Sequence, residues 1–158
     1  MTDGTQQGTR VFPDVESFRA AQGEVLGTGD WFQIDQQRID AFADVTEDWQ
    51  WIHVDVERSK AGPYGAPIGH GFLTLSLIPR LGGDIFRVEG PRMAINYGLN
   101  KVRFPTPVIA GSRVRATATL VEVSDAAAGV QAVIRYTIEI EGVDKPACVA
   151  ETVRVLVL

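Results

Sequence analysis

The stretch F-L-T-L-S-L-I-P-R-L at positions 72–81 constrains the fold of this chain more than any other segment. Phe72, Leu73, Leu75, Leu77, Ile78 and Leu81 cover most of the circumference of a helix. A helix that is apolar nearly all round is either a membrane span or the centre of a fold. This one is much shorter than the roughly 18–20 residues a span needs. A long helix beginning near His70 is therefore expected at the centre of the molecule, wrapped by the rest of the chain. Pro79 lacks an N–H and is expected to kink or end it.

The wrapping material is legible in the second half. Positions 93–104, 112–123, 130–141 and 148–158 are rich in Val, Ile, Thr and Tyr and read as strands. From 112 to 120 the pattern alternates: Arg113, Arg115, Thr117 and Thr119 share one face, and Val114, Ala116, Ala118 and Leu120 the other. That is a half-buried strand with one wet side. D-A-A-A-G and E-G-V-D-K-P supply turns, so successive strands are expected to run antiparallel. Upstream, Asp14 fits a cap for a short helix, and Trp31, Phe32 and Ile34 a short strand. Asp35 fits a cap for a helix through about Val45, with Ile39, Phe42, Ala43 and Val45 near one face. Positions 54–60 hold another helical turn, and A-G-P-Y-G-A-P-I-G at 61–69 is a loop. The expected class is α+β, an antiparallel β-sheet wrapped around a long central helix.

The chain has 158 residues, 45% hydrophobic and 22% charged, which suits one domain with a real core. Residues 1–10, polar and glycine-containing, are expected to form a flexible tail, leaving 11–158 as the domain. No apolar run suggests a membrane span, and the N-terminus lacks a signal-peptide pattern. A net charge of −5 argues against nucleic acid as a partner. The single cysteine, Cys148, excludes an internal disulfide, fits a reducing cytoplasmic location, and is expected to be a small buried hydrophobe.

Two segments carry candidate chemistry. D-W-Q-W-I-H puts Asp48 and His53 five residues apart after the helix expected to start at Asp35. Trp49, Trp51 and Ile52 between them suggest an apolar lining that moves both acid–base groups toward neutrality. The same residues also fit a helix-ending Asp48 and a hydrogen-bonded loop His53. G-H-G at 69–71 would leave the first N–H groups of the central helix free to meet a developing anion. It also fits two glycines that merely let the chain turn, with His70 capping or packing. Asp48, His53, Asp55 and His70 are the conceivable metal ligands, but no metal-binding spacing joins them, so no metal is expected. Lys101 and Arg103, like Arg113 and Arg115, alternate on strands and read as surface, with room for one or two to meet phosphates.

F-A-D-V-T-E-D-W-Q-W-I-H-V-D, P-I-G-H-G-F-L-T-L-S-L and N-K-V-R-F-P-T-P-V-I-A-G-S-R-V together resemble the MaoC-like (R)-specific enoyl-CoA hydratases, over most of the chain from about Asp30. The N-Y-G-L-N-K-V-R-F phrase is similar to their single-domain actinobacterial branch. The resemblance implies a hotdog fold and reversible syn hydration of trans-2-enoyl-CoA to (R)-3-hydroxyacyl-CoA, an activity of fatty acid metabolism. It implies Asp48 and His53 as the catalytic pair holding one water, and the Gly71 N–H on the thioester carbonyl. No cofactor is implied beyond the coenzyme A of the substrate. Gln50 stands where the family usually has Asn, and Trp51 replaces a common Pro. Gln50, His70, Asn96, Tyr97, Asn100, Lys101 and Arg103 are the further candidates for substrate contact. The resemblance also implies a homodimer. Alternatives on the same fold are a 3-hydroxyacyl-[carrier protein] dehydratase, an acyl-CoA thioesterase and a non-catalytic acyl-thioester-binding protein.

Overall fold

The computed structural model describes residues 8–158. Its elements in chain order are β1 (Arg10–Phe12), α1 (Val15–Ala20), β2 (Val25–Thr28), β3 (Phe32–Gln33), α2 (Gln36–Thr46), α3 (Trp51–Val54), α4 (Val56–Lys60), α5 (Gly71–Ser76), α6 (Ile78–Gly82), β4 (Phe86–Val88), β5 (Met93–Arg103), β6 (Arg113–Ala126), β7 (Gly129–Ile140) and β8 (Cys148–Val157). The main sheet runs β2-β6-β7-β8-β5, with β3 also on β6, and every pairing in it is antiparallel. β1 and β4 form a small parallel pair. The expected tail, 1–10, lies partly outside the described residues. Its last part is not a tail: Arg10 opens β1, and the Thr9 hydroxyl donates to the Asp84 carbonyl at 2.9 Å.

The two-residue period sets the core. Val114, Ala116, Ala118 and Leu120 of β6 are fully buried, and their partners on β7 include Ile138, Tyr136 and Ile134. Alanines stand opposite large residues, Ala116 beside Ile138 and Ala118 beside Tyr136. Gly82 at the end of α6 completes the fit, since a Cβ there would lie 2.6 Å from the Tyr136 ring. On the outer face Arg113 pairs with Glu141 and Arg115 with Glu139. Both arginines also lie over the Trp31 ring, at 5.9 and 4.3 Å. They hold the sheet rather than waiting for a phosphate. Cys148 is buried, and burial pushes its thiol up to about 11, as befits a packing residue.

The central helix is interrupted, as Pro79 leads one to expect, but is shorter and less buried than expected. It is two short helices, α5 and α6, that meet at Leu77. Pro79 cannot donate to the Leu75 carbonyl and its ring crowds that turn, so the chain restarts with Pro79 in the first turn of α6. Nor is it buried all round. Leu73, Leu77, Ile78 and Leu81 face the core, while Phe72 is 70% exposed. The uncovered side of the helix faces a groove of about 320 Å³, shared with Asn96 and Leu99 of β5 and Thr152 of β8. β5 is the sheet edge, and Met93, Ile95, Tyr97 and Leu99 along it are exposed.

Candidate active site

Capping places the first half of the site. Asp35 accepts from the Arg38 N–H at 2.9 Å and starts α2. Ile39 and Ala43 then face the core, but Val45, expected on that face, is exposed. Glu47 ends the helix in the left-handed conformation at φ 59°, and its N–H and that of Asp48 both return to the Ala43 carbonyl. Asp48 is thus delivered on a tight turn, its side chain half exposed. One turn of helix, α3, carries His53. The Gln36 amide of α2 donates to the His53 carbonyl at 2.7 Å and ties the two helices together.

A clamp from the 61–69 loop places the imidazole. Ile68 N–H donates to the Ile52 carbonyl at 3.0 Å, and Gly69 N–H to the Val108 carbonyl at 2.7 Å. The Ile68 carbonyl is left facing His53 Nδ1 at 2.6 Å. A carbonyl only accepts, so Nδ1 carries the proton and the Nε2 lone pair is free. Burial holds His53 below its ordinary value of 6.5, with the neighbouring His70 ring acting in the same direction. The bond to Ile68 and the Asp48 carboxylate act against that shift.

The tryptophans do not line the pair, contrary to expectation. The Trp49 indole donates to Asp44 at 2.7 Å and is 54% exposed, and Trp51 lies under the Arg58 guanidinium at 4.2 Å. His70 and Ile68 supply the enclosure instead. His70 is buried, its ring stacks on His53 with centroids 3.8 Å apart, and Phe42 packs on it at 4.9 Å. His70 Nε2 donates to the Asp48 carbonyl at 3.0 Å. The sequence carries no periodic signal for this contact, because its partners are 22 positions apart.

His53 opens onto a cavity of about 350 Å³ lined also by Gly71, Thr74, Tyr64 and the 104–108 segment. Gly71 is the first residue of α5, so its N–H has no intrahelical partner. A side chain there would meet the Phe104 ring at 3.0–3.2 Å, and the glycine lets that ring close the cavity wall. Thr74, Phe104 and Thr106 escaped the sequence reading. The Thr106 hydroxyl is buried in this wall without a hydrogen-bond partner among the described residues. Position inside P-T-P was its only signal.

The remaining candidates stand apart. Gln50 is exposed and caps α3 with its backbone, its carbonyl accepting from the His53 N–H at 3.0 Å. Asn96, Tyr97, Asn100, Lys101 and Arg103 are exposed on β5, and none lines the His53 cavity. Asp55 caps α4 through the Arg58 N–H. One ligand atom each from Asp48, His53 and His70 falls within 4.8 Å of the others. The stacking argues against their sharing an ion, since the in-plane lone pairs of near-parallel rings do not converge on one point.

A family model described as "MaoC like domain" matches residues 17–143. The chain is 56% identical over 145 residues to 3-hydroxyacyl-thioester dehydratase Z of Mycobacterium tuberculosis (strain ATCC 25618 / H37Rv), covering 91% of this chain and 96% of that protein. It is 40% identical over 137 residues to nodulation protein N of Rhizobium leguminosarum bv. viciae, covering 85% of each. The solved structure of the R-hydratase PhaJ1 from Pseudomonas aeruginosa superimposes with a TM-score of 0.68 at 18% identity, over 85% of this chain and 81% of that one, a likeness of fold alone. With the antiparallel sheet wrapped on α5 and α6, these similarities place the chain in the MaoC-like hotdog family of hydratases and dehydratases, with an actinobacterial relative at more than half identity.

Proposed function

We propose that this protein interconverts (3R)-3-hydroxyacyl and trans-2-enoyl thioesters, with Asp48 and His53 as the catalytic pair. The observation that carries this reading is the His53 imidazole, its Nδ1 engaged by the Ile68 carbonyl and one ring nitrogen within 4.8 Å of an Asp48 carboxylate oxygen. In the hydration direction one water sits between the two groups. Nε2 of neutral His53 takes a proton from it while Asp48 orients it and stabilises the imidazolium. The oxygen attacks C3, and the electron pair moves through C2 to the thioester oxygen. The Gly71 N–H holds that oxygen as negative charge develops. The pair then returns a proton to C2, and the site is reset. Dehydration runs through the same steps in reverse.

The sequence alone put hydration of a CoA ester first, with dehydration of a 3-hydroxyacyl chain on a carrier protein among the alternatives. The name of the mycobacterial relative favours dehydration and names the substrate only as a 3-hydroxyacyl thioester. The groove bordered by Asn96 and the exposed apolar edge of β5 suit a C₂ homodimer that continues the sheet. Lys101 and Arg103 on that edge suit the phosphates of coenzyme A or of a carrier-protein arm. No helix among the described residues is long and apolar enough to cross a membrane. The single cysteine, free and buried at Cys148, suits a reducing cytoplasm.

The test offers (3R)- and (3S)-3-hydroxybutyryl thioesters of CoA and of a carrier protein and follows enoyl absorbance. The expected result is turnover of the (3R) form alone. Turnover of the (3S) form, or release of free thiol without an enoyl product, would overturn the reading. Sedimentation supplies the dimer test: a dimer is expected for the wild type and a monomer for Leu99→Glu.

A further inference from the structure

His70 is deeply buried, at 3% exposure against 52% for the Asp48 side chain. It stands at the head of α5, yet its side chain makes no capping hydrogen bond there. It turns back instead. Nε2 donates to the Asp48 carbonyl at 3.0 Å, and the ring lies face to face with His53, 3.8 Å away at 21°. One imidazole therefore touches the backbone of one catalytic residue and the ring of the other.

We propose that His70 is the positioning residue of this site, locking the Asp48 turn and the His53 ring into the one arrangement in which both meet the same water. The proposal rests on the reaction proposed above. Asp48 follows a left-handed Glu47 on an exposed turn, held to its own helix through N–H bonds to a single carbonyl, that of Ala43. α5 belongs to the core, so a bond from its first turn fixes that exposed turn against the rigid centre of the molecule. A side chain chosen only to fill volume would not bury an imidazole nitrogen, which costs free energy unless hydrogen-bonded. The assigned proton on Nε2 leaves Nδ1 as a lone pair, and that atom is buried without a partner among the described residues. Close placement matters because a displacement of about 1 Å can cost about 100-fold in rate.

Three variants separate the two contacts. His70→Gln keeps an N–H donor within reach of the Asp48 carbonyl and loses the ring. His70→Phe keeps the ring and loses the donor. His70→Ala loses both. On crotonyl-CoA the alanine variant is expected to lose about 10- to 100-fold in kcat. Its KM stays within about twofold of wild type, because His70 does not line the cavity, while Gln and Phe each recover part of kcat. The pH dependence of His53, read by two-dimensional ¹⁵N–¹H spectra of the ring, is an activity-independent readout. The groups facing His53 are Asp48 from the α2–α3 turn, His70 from α5 and Tyr64 from the 61–69 loop. His53 should titrate nearer 6.5 in the Gln and Ala variants, which lose both the covering ring and the His70 charge, and below them in Phe, which keeps the burial and loses only the charge. The same spectra of the wild type should show His70 protonated on Nε2 and His53 on Nδ1.

Unchanged kcat in the alanine variant, equal losses in all three with His53 titration unmoved, or a wild-type His70 protonated on Nδ1 would each overturn the proposal. If the alanine variant does not fold, the Gln and Phe variants and the wild-type tautomers decide. A wild type that turns over no enoyl thioester would overturn the proposed reaction and the catalytic part of this role with it, while the His53 titration and the wild-type tautomers still test whether His70 holds the Asp48 turn and the His53 ring.

Discussion

The sheet core and the proposed catalytic site are specified in different ways. On β6 and β7 each side chain's place follows from its neighbours two positions away, and the result is a dry surface of Ala, Val, Ile and Leu. Around Asp48 and His53 nothing is periodic. The two rings are oriented by side-chain contacts across 15 and 22 positions of sequence: His53 to Ile68, His70 to Asp48. The first region carries stability redundantly. The second would carry the proposed function on a few polar contacts. Changes in the core should therefore move stability and spare turnover, and changes at the site should do the reverse.

The largest effect on stability is expected from the core. Ile138→Ala opens a cavity at a fully buried position and should cost about 2–5 kcal/mol in urea unfolding, with turnover per folded molecule unchanged. A proportional loss of turnover would mean that the two regions are coupled. Gly82→Ala comes next. Helix propensity alone would favour it by about 1 kcal/mol, but the added methyl meets the buried Tyr136 ring. The packing term should win, giving a net loss of about 1–3 kcal/mol. A gain in melting temperature would show that Tyr136 can give way.

Protonation couples the two regions through one residue. His53 has its folded value below 6.5, so between that lowered value and 6.5 the unfolded chain binds more protons than the folded one. Its contribution to stability is complete above 6.5 and is lost as pH falls through this window. The base must also be neutral to work, so the acid limb of the rate profile should lie below 6.5. An acid limb at or above 6.5 would contradict the assignment of His53 as a buried neutral base. The smallest effect is at Glu47, which holds a left-handed conformation that costs an L residue about 1–2 kcal/mol. Glu47→Gly should raise stability by up to about 1 kcal/mol once the entropy of glycine is counted. Turnover should fall slightly if the turn loosens around Asp48.

The same contrast explains what could be read without coordinates. The four long strands, the alternation on β6 and the caps at Asp14 and Asp35 follow from periods and local hydrogen bonds, and the structure carries all of them. D-W-Q-W-I-H pointed to Asp48 and His53, which do come together. The break at Pro79 follows from its missing N–H, whereas the tryptophan lining and the all-round burial of the helix do not hold, for physical reasons. Trp49 found Asp44 and Trp51 found Arg58, contacts that hydrophobicity does not encode. Pro79 divided the helix two residues before its own position, because the bond it removes belongs to the preceding turn. The His70 contacts had no local signature, since both partners lie in other segments.

The central claim is that Asp48 and His53 share one water at the mouth of the His53 cavity. It is tested most directly by the hydration rate of crotonyl-CoA at saturation in Asp48→Asn and His53→Gln, with unfolding midpoints measured on the same samples. Each variant is expected to lose about 10²- to 10⁴-fold in kcat while its unfolding midpoint stays near that of the wild type. A kcat within about threefold of wild type in either folded variant would contradict the account.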